Sequence, residues 1–426
     1  MLKIATIIFV AFNLANGGRV YDGYKLYEIR PQTKSEAHDL MEWQAKPGVD
    51  FWSEARMLNH TSLVMISPEL QEEFEGYLID SNYTWKIAED NVERLIQNFE
   101  KSRQKPIHKV GGGFNFFDYQ RSETINSYLR TLAKMYPKYV TVKDEGRSFE
   151  QRVIKSVRIT DGSYFDEKVT MVIECGIHAR EWIAPTFCMY LIEQLTVYRG
   201  QNLDLLKNID WFIVPLLNPD GYEYTHTKDR LWRKTRKPDT VNSACVGVDG
   251  NRNFDFEWGD EGTSDDPCSE IFKGREPFSE PETRIMGNLI KAEAKANPNR
   301  VAYLSFHSFG YWLLYPYGYS LTAPEPPSLD KLKMATDNVV KAVHEQTGSL
   351  YEAGNSAELL YAAAGAGDDF AMGAAGIELA MTVEMPPRSD GYEGFMLPSE
   401  NIISVCMETM IVVRELGKFM VDNYLP

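Results

Sequence analysis

Four stretches of this chain are runs of apolar, often β-branched residues: VTMVIEC (169–175), WFIVPLLN (211–218), VAYLSFHS (301–308) and ELAMTVEM (378–385). Each reads as a strand. Between and after them, residues 279–296, 328–347 and 400–420 read as helices, the first opened by the capping-box sequence SEPE. Mixed strands and helices predict an α/β domain. Its polar residues of interest fall at the downstream strand ends, the edge where open α/β sheets bind ligands. The first hundred residues show a different rhythm. YKLYEIR (24–30), VDFWSE (49–54), TSLVMIS (61–67) and YTWKIAE (83–89) read as short strands. Helices are predicted over 35–44, with Ser35 as N-cap, and over 67–78, with Ser67 at the cap and Pro68 at the first helical position. The order β-α-β-β-α-β predicts a small α+β open sandwich. A charged helix over 90–105 leads out and ends in Lys101, Arg103 and Lys105, just before PIHKVGGG. Basic residues beside a Gly-rich stretch predict a proteolytic linker.

Composition adds bounds. A chain of 426 residues, 43% hydrophobic and 25% charged, can build more than one core, so two domains are expected. The formal net charge is −16 and no basic block of nucleic-acid-binding type is present, which argues against a nucleic-acid partner. The N-terminal MLKIATIIFVAFNLANGG has a lysine, a short apolar core and then small residues, the pattern of a secretory signal over 1–17. No other apolar run is long enough to span a bilayer, so no membrane association is expected. A secreted chain permits disulfides among Cys175, Cys188, Cys245, Cys268 and Cys406, with one cysteine left over. Asn59 and Asn82 head glycosylation acceptor sequences.

The chemistry concentrates where the first long strand stops, in CGIHAREW (175–182). A catalytic zinc takes three protein ligands and keeps one position open. His178 and Glu181 could supply two from one turn, and His307 lies at the end of another strand, in an equivalent position. Alone, His-x-x-Glu is a weak signal and reads more often as a capped turn with a hydrogen-bonded histidine.

The motifs GIHAREW, LNPDGYEYT, RLWRKTR, CVGVDGNRNF, FHSFGYWLLYPYGY, LLYAAAG and TVEM stand here in one order. In that order they resemble zinc metallocarboxypeptidases of the pancreatic A/B type, and the B enzymes most. The resemblance covers nearly all of 110–426, and the segment before it resembles that family's activation propeptide. It implies a mixed eight-stranded sheet flanked by helices over 106–426, preceded by a propeptide with its linker helix over 18–105. One Zn2+ per chain would be held by His178, Glu181 and His307. Glu384 would be general base and then proton donor to the leaving amine, and Arg233 would stabilise the oxyanion. Asn251 and Arg252 would grip the terminal carboxylate, whose geometry suits arginine's planar fork. Tyr361 would cover the substrate terminus and Arg180 would contact it further upstream. Without the resemblance, Glu384 reads as an edge-strand ion-pair partner, Arg233 as one solvated charge in a basic run, Arg252 as a structural ion pair and Tyr361 as a packed loop aromatic.

The resemblance also implies disulfides Cys245–Cys268 and Cys175–Cys188, leaving Cys406 a buried free thiol. Asp368 falls where B-type enzymes have an aspartate at the pocket floor, which implies release of C-terminal Lys or Arg. An A-type preference for apolar or aromatic termini and a non-catalytic binding protein on the same fold are the alternatives. The expected partners are peptide and protein C-termini and an activating trypsin-like protease cutting after Arg103 or Lys105, with a monomeric, secreted product. Three features depart from the family pattern. Phe309 replaces a tyrosine, one extra residue lies near 373–376, and Met385-Pro386-Pro387 replaces Leu-Arg-Asp. A cis bond is expected between Pro386 and Pro387.

Overall fold

The computed structural model of the chain describes residues 20–53, 61–103, 114–163, 167–386 and 394–425. The signal segment, the linker beyond Arg103, Asn59 and the bond to Pro387 therefore lie outside the described residues.

The first unit runs β1 (Lys25–Arg30), α1 (Lys34–Met41), β2 (Val49–Ser53), β3 (Ser62–Ile66), α2 (Gln71–Asp80), β4 (Thr84–Glu89), followed by α3 (Val92–Arg103). The cap of α1 is Thr33, whose side chain accepts from the Glu36 backbone N–H, and not Ser35. Its strands make one antiparallel sheet in the order β2-β3-β1-β4. Alternation splits their side chains between two faces. Tyr27, Ile29, Phe51, Val64 and Ile66 pack with Trp43 and Phe74 of the unit's own helical side. Leu26, Trp52, Leu63 and Met65 face the opposite way and join the core of the larger unit. This is why SLVMI reads as continuously apolar: both faces are covered.

The larger unit contains α4 (Ser122–Met135), β5 (Val140–Arg147), β6 (Val153–Ile159), β7 (Val169–Cys175), α5 (Ile183–Thr196), β8 (Ile209–Val214), α6 (Pro219–Thr227), α7 (Pro281–Ala296), β9 (Val301–Ser308), β10 (Trp312–Tyr315), α8 (Leu329–Thr347), β11 (Glu352–Asn355), α9 (Ser356–Leu359), α10 (Gly367–Gly373), β12 (Leu379–Met385) and α11 (Ile402–Tyr424). The sheet has eight strands in the order β11-β10-β12-β9-β7-β8-β6-β5. Its centre, β12-β9-β7-β8, is parallel, and the flanks are mixed. β7 and β9 are buried throughout, as strands covered by helices on both faces must be. Two details differ from the sequence expectation. The strand in WFIVPLLN ends at Val214, because Pro215 cannot donate to a ladder. The SEPE box does not form: Glu280 is the N-cap of α7 without a side-chain cap bond, and Pro281 starts the helix.

Cys175–Cys188 ties the end of β7 to α5, Cys245–Cys268 closes a loop, and Cys406 is buried and free. No helix among the described residues is long and apolar enough to cross a membrane.

Candidate functional site

Strand register builds the site. In the parallel pair β9–β12, His307 lies opposite Glu384 and Ser305 opposite Thr382. In β10–β12, Trp312 lies opposite Glu384 and Leu314 opposite Thr382. In β7–β9, Glu174 lies opposite Ser305. Residues two apart on a strand share a face, so these pairs form two rows. An outer row, His307, Glu384 and Trp312, stands at the sheet edge. An inner row, Glu174, Ser305, Thr382 and Leu314, lies one step below it. The segment after β7 turns over this edge at Gly176, where φ is +74° and a side chain would press on Leu216. That turn delivers His178, Arg180 and Glu181.

His178, Glu181 and His307 are buried, and their ligand atoms lie within 4.8 Å of one another. The two Nδ1 atoms are 3.1 Å apart. Glu181 Oε1 is 2.7 Å from His178 Nδ1, and Oε2 is 3.1 Å from His307 Nδ1. The far ring nitrogens are held from behind: His178 Nε2 by Asp249 Oδ1 at 3.0 Å, and His307 Nε2 by Ser305 Oγ at 2.8 Å. Two imidazole lone pairs and a carboxylate converging on one point, each backed by a hydrogen bond, fit a zinc ion. The fields agree. Burial would raise the Glu181 carboxyl, but His178 and His307 outweigh it and hold it well below the usual range. Burial opposes charge on His307 too, yet Glu181 lifts it to about 9. Burial and the nearby Arg233 lower His178.

Arg233 reaches Asp249 Oδ2 through Nη2 at 3.0 Å and lies 3.8 Å from Glu181. Burial disfavours the Asp249 anion, but Arg233 and His178 hold its carboxyl far below the usual value. Arg252 is buried; Nε donates to Gly262 O and Nη1 to Asn251 O, while Nη2 has no partner among the described residues. The Tyr361 ring lies 5.5 Å from its guanidinium. Asn251 Oδ1 accepts from Gly367 N at 2.9 Å, which fixes the start of α10 and so Asp368. Asp368 is buried, accepts from Thr382 at 3.2 Å, and forms no ion pair among the described residues. Burial raises its carboxyl. The adjacent Asp369 turns elsewhere and accepts from the Gly318 backbone.

All ten residues expected to serve catalysis, zinc and substrate line one cavity of about 80 Å³: His178, Arg180, Glu181, Arg233, Asn251, Arg252, His307, Tyr361, Asp368 and Glu384. Phe51 and Trp52 of β2 form its outer wall. Beside them Asp50 grips Arg180 with both carboxylate oxygens, one at 3.0 Å, and the guanidinium lies 4.0 Å over the Phe395 ring. Phe309 stacks edge-on against Phe395, which makes this rim apolar. Beyond the exposed Lys228, the basic run to Lys237 is not a solvated face, as its charges alone would suggest. Arg230 lies on the Trp182 ring and Arg236 between Tyr224 and Trp232. Sequence reading passed over Asp249, Ser305, Glu174 and Asp50. Ser305 alone carried a signal, its two-residue spacing from His307 on a strand.

A family model described as Zinc carboxypeptidase matches residues 125–412, and one described as Carboxypeptidase activation peptide matches 27–98. Carboxypeptidase B of Astacus astacus is 40% identical over 72% of this chain and 98% of its own length. Carboxypeptidase B of Helicoverpa zea is 36% identical over 91% of this chain and 92% of its own. Among solved structures, carboxypeptidase A from Helicoverpa armigera superposes with a TM-score of 0.86 at 30% identity, over 95% of this chain and 99% of that one.

Proposed function

Because this chain belongs to the zinc carboxypeptidase family and carries that family's activation peptide, we propose that it is a secreted zymogen whose enzyme releases single C-terminal Lys or Arg residues. The observation that carries the specificity is Asp368, a buried carboxylate without a cation among the described residues. Burying an unpaired charge is costly, and a basic substrate side chain would pair with it. Leu314, Leu360, Ala363 and Ala366 line the same cavity and would cover the alkyl stem. The apolar lining also suits the competing A-type reading, and a panel of C-terminal residues after limited trypsin decides between them. Preference for Phe over Arg would overturn the basic reading. The apolar leader and two disulfides support the secretory route.

In this reading His178, Glu181 and His307 hold zinc, which when bound supplies Lewis-acid polarisation of the scissile carbonyl and an acidified water. Arg252 and Asn251 orient the terminal carboxylate, with Tyr361 closing over it. Glu384 takes a proton from the water as the C–O bond forms. It returns that proton to the departing amine nitrogen as the C–N bond breaks. Arg233 donates to the developing oxyanion.

In the uncut chain β2 stands across the cleft, and Asp50 occupies Arg180. Removing one partner of a buried ion pair costs about 3–5 kcal/mol. Asp50→Ala should therefore loosen the wall and raise hydrolysis of a blocked dipeptide by the uncut chain at least about tenfold, since about 1.4 kcal/mol corresponds to tenfold. Unchanged hydrolysis would assign the block to Phe51 and Trp52 alone.

Of the two expected cut positions, Lys105 lies outside the described residues and Arg103 is engaged. Its Nε donates to Asp118 at 2.8 Å, Glu100 is 3.3 Å away, and the guanidinium sits 4.8 Å from the Trp182 ring. A trypsin-like protease must pull Arg103 from these partners. Asp118→Asn should speed cleavage after Arg103 about 3–10-fold, an ion-pair loss of about 1 kcal/mol, read by N-terminal sequencing of the product. An unchanged rate would move the first cut into 104–113.

A further inference from the structure

We infer that Glu174, two hydrogen bonds behind the zinc position, is a positioning residue that fixes which nitrogen of His307 carries the proton. The inference rests on His307 being a zinc ligand.

Glu174 is wholly buried in β7, directly opposite Ser305 in β9. Ser305 Oγ lies 2.6 Å from Glu174 Oε2 and 2.8 Å from His307 Nε2. A serine hydroxyl has one proton, and an ionised carboxylate can only accept. The Ser305 proton therefore goes to Glu174, and its oxygen must accept from His307 Nε2–H. That leaves the Nδ1 lone pair facing His178 Nδ1 and Glu181, where zinc would sit. Without an acceptor at Glu174 the hydroxyl could turn and donate to Nε2. The ring proton would then move to Nδ1 and block the ligand position.

Charge supports the geometry. Two buried carboxylates of the site are paired with arginine: Asp249 with Arg233, and Asp50 with Arg180. Glu174 has no Lys or Arg partner among the described residues, and its Oε1 lacks a hydrogen bond. Among the described residues its chain of bonds leads through Ser305 to His307. Burial raises its carboxyl to about 6 against the pull of His307. His178 has the equivalent support directly, from Asp249 at 3.0 Å. The two histidines are thus oriented by different means, one by a carboxylate in contact and one by a carboxylate acting through a hydroxyl.

The test uses the full-length chain, with zinc affinity measured by chelator competition. Glu174→Met, which removes the acceptor, should raise the zinc dissociation constant about 10–100-fold, the range for ligand-supporting partners. It should also shift the visible absorption of the Co(II)-loaded protein. In a Ser305→Ala background the same change should add nothing, because the connection is already cut. An unchanged zinc constant and cobalt spectrum, or fully additive effects, would overturn the inference. If Glu174→Met does not fold by circular dichroism, Ser305→Ala alone carries the test, and wild-type zinc affinity in it overturns the inference. A wild-type chain that binds no stoichiometric zinc would instead defeat the ligand reading itself.

Discussion

Glu384→Gln is expected to keep its zinc and to lose about 10³–10⁴-fold in turnover of a blocked dipeptide. The three ligand positions are filled without it, so metal content measured on the purified variant should equal the wild type. Glu384 sits beside His307 by strand register and lines the cavity, the place from which a carboxylate can exchange a proton with the reacting centre. Glutamine keeps the shape and removes the base. General base catalysis supplies about 10²–10⁴-fold, and in the proposed mechanism one carboxylate serves two successive transfers, which places the loss at the upper end. Near-normal turnover with zinc retained would remove Glu384 from the mechanism.

Asp368→Asn should reduce kcat/KM for C-terminal Arg by about 10²–10³-fold, while Phe or Leu termini lose little or gain. Truncating one partner of a buried charge pair costs about 2–5 kcal/mol. The same variant should be more stable than the wild type. Burial raises the Asp368 carboxyl in the folded chain. An unfolded aspartate ionises near pH ~3.9. As pH rises from there toward the raised native value, the unfolded state loses its proton first, so stability falls. Asparagine removes that penalty. The Tm gap between variant and wild type should open above pH ~4 and widen until the native group ionises. A basic preference that survives in Asp368→Asn would move the specificity determinant elsewhere, and a variant less stable at neutral pH would show that Asp368 is compensated by an unseen partner.

Much of this fold was legible because its signals are local. The runs that became β7 and β9 are apolar from end to end, as buried parallel strands require, and the β-α-β-β-α-β alternation of the first unit emerged in the expected order. The motifs placed His178, Glu181 and His307 because turn and strand ends are themselves local. The helix starts were less legible. Thr33 and Ser35 offer the same chemistry two residues apart, and SEPE presented a box that Pro281 let the helix enter without. The supporting layer was not legible at all. Glu174 and Ser305 meet only through register across two strands, and Asp50 and Arg180 stand 130 residues apart. A charge pattern also misled: the 230–237 run resembles a wet surface until aromatic planes from distant elements cover it.

The first unit's sheet has two packed faces, one against α1 and α2 and the other in the core it shares with α3 and the larger unit. The second, with Leu26, Trp52, Leu63 and Met65, is covered in part by the enzyme. Cutting the linker changes neither contact, so scission and separation are distinct events, and the second sets how soon the cleft opens. Once apart, the small unit carries a partly bare apolar sheet face into solution, a surface of the kind that recruits partners or coalesces. The zymogen thus stores two sticky surfaces against each other.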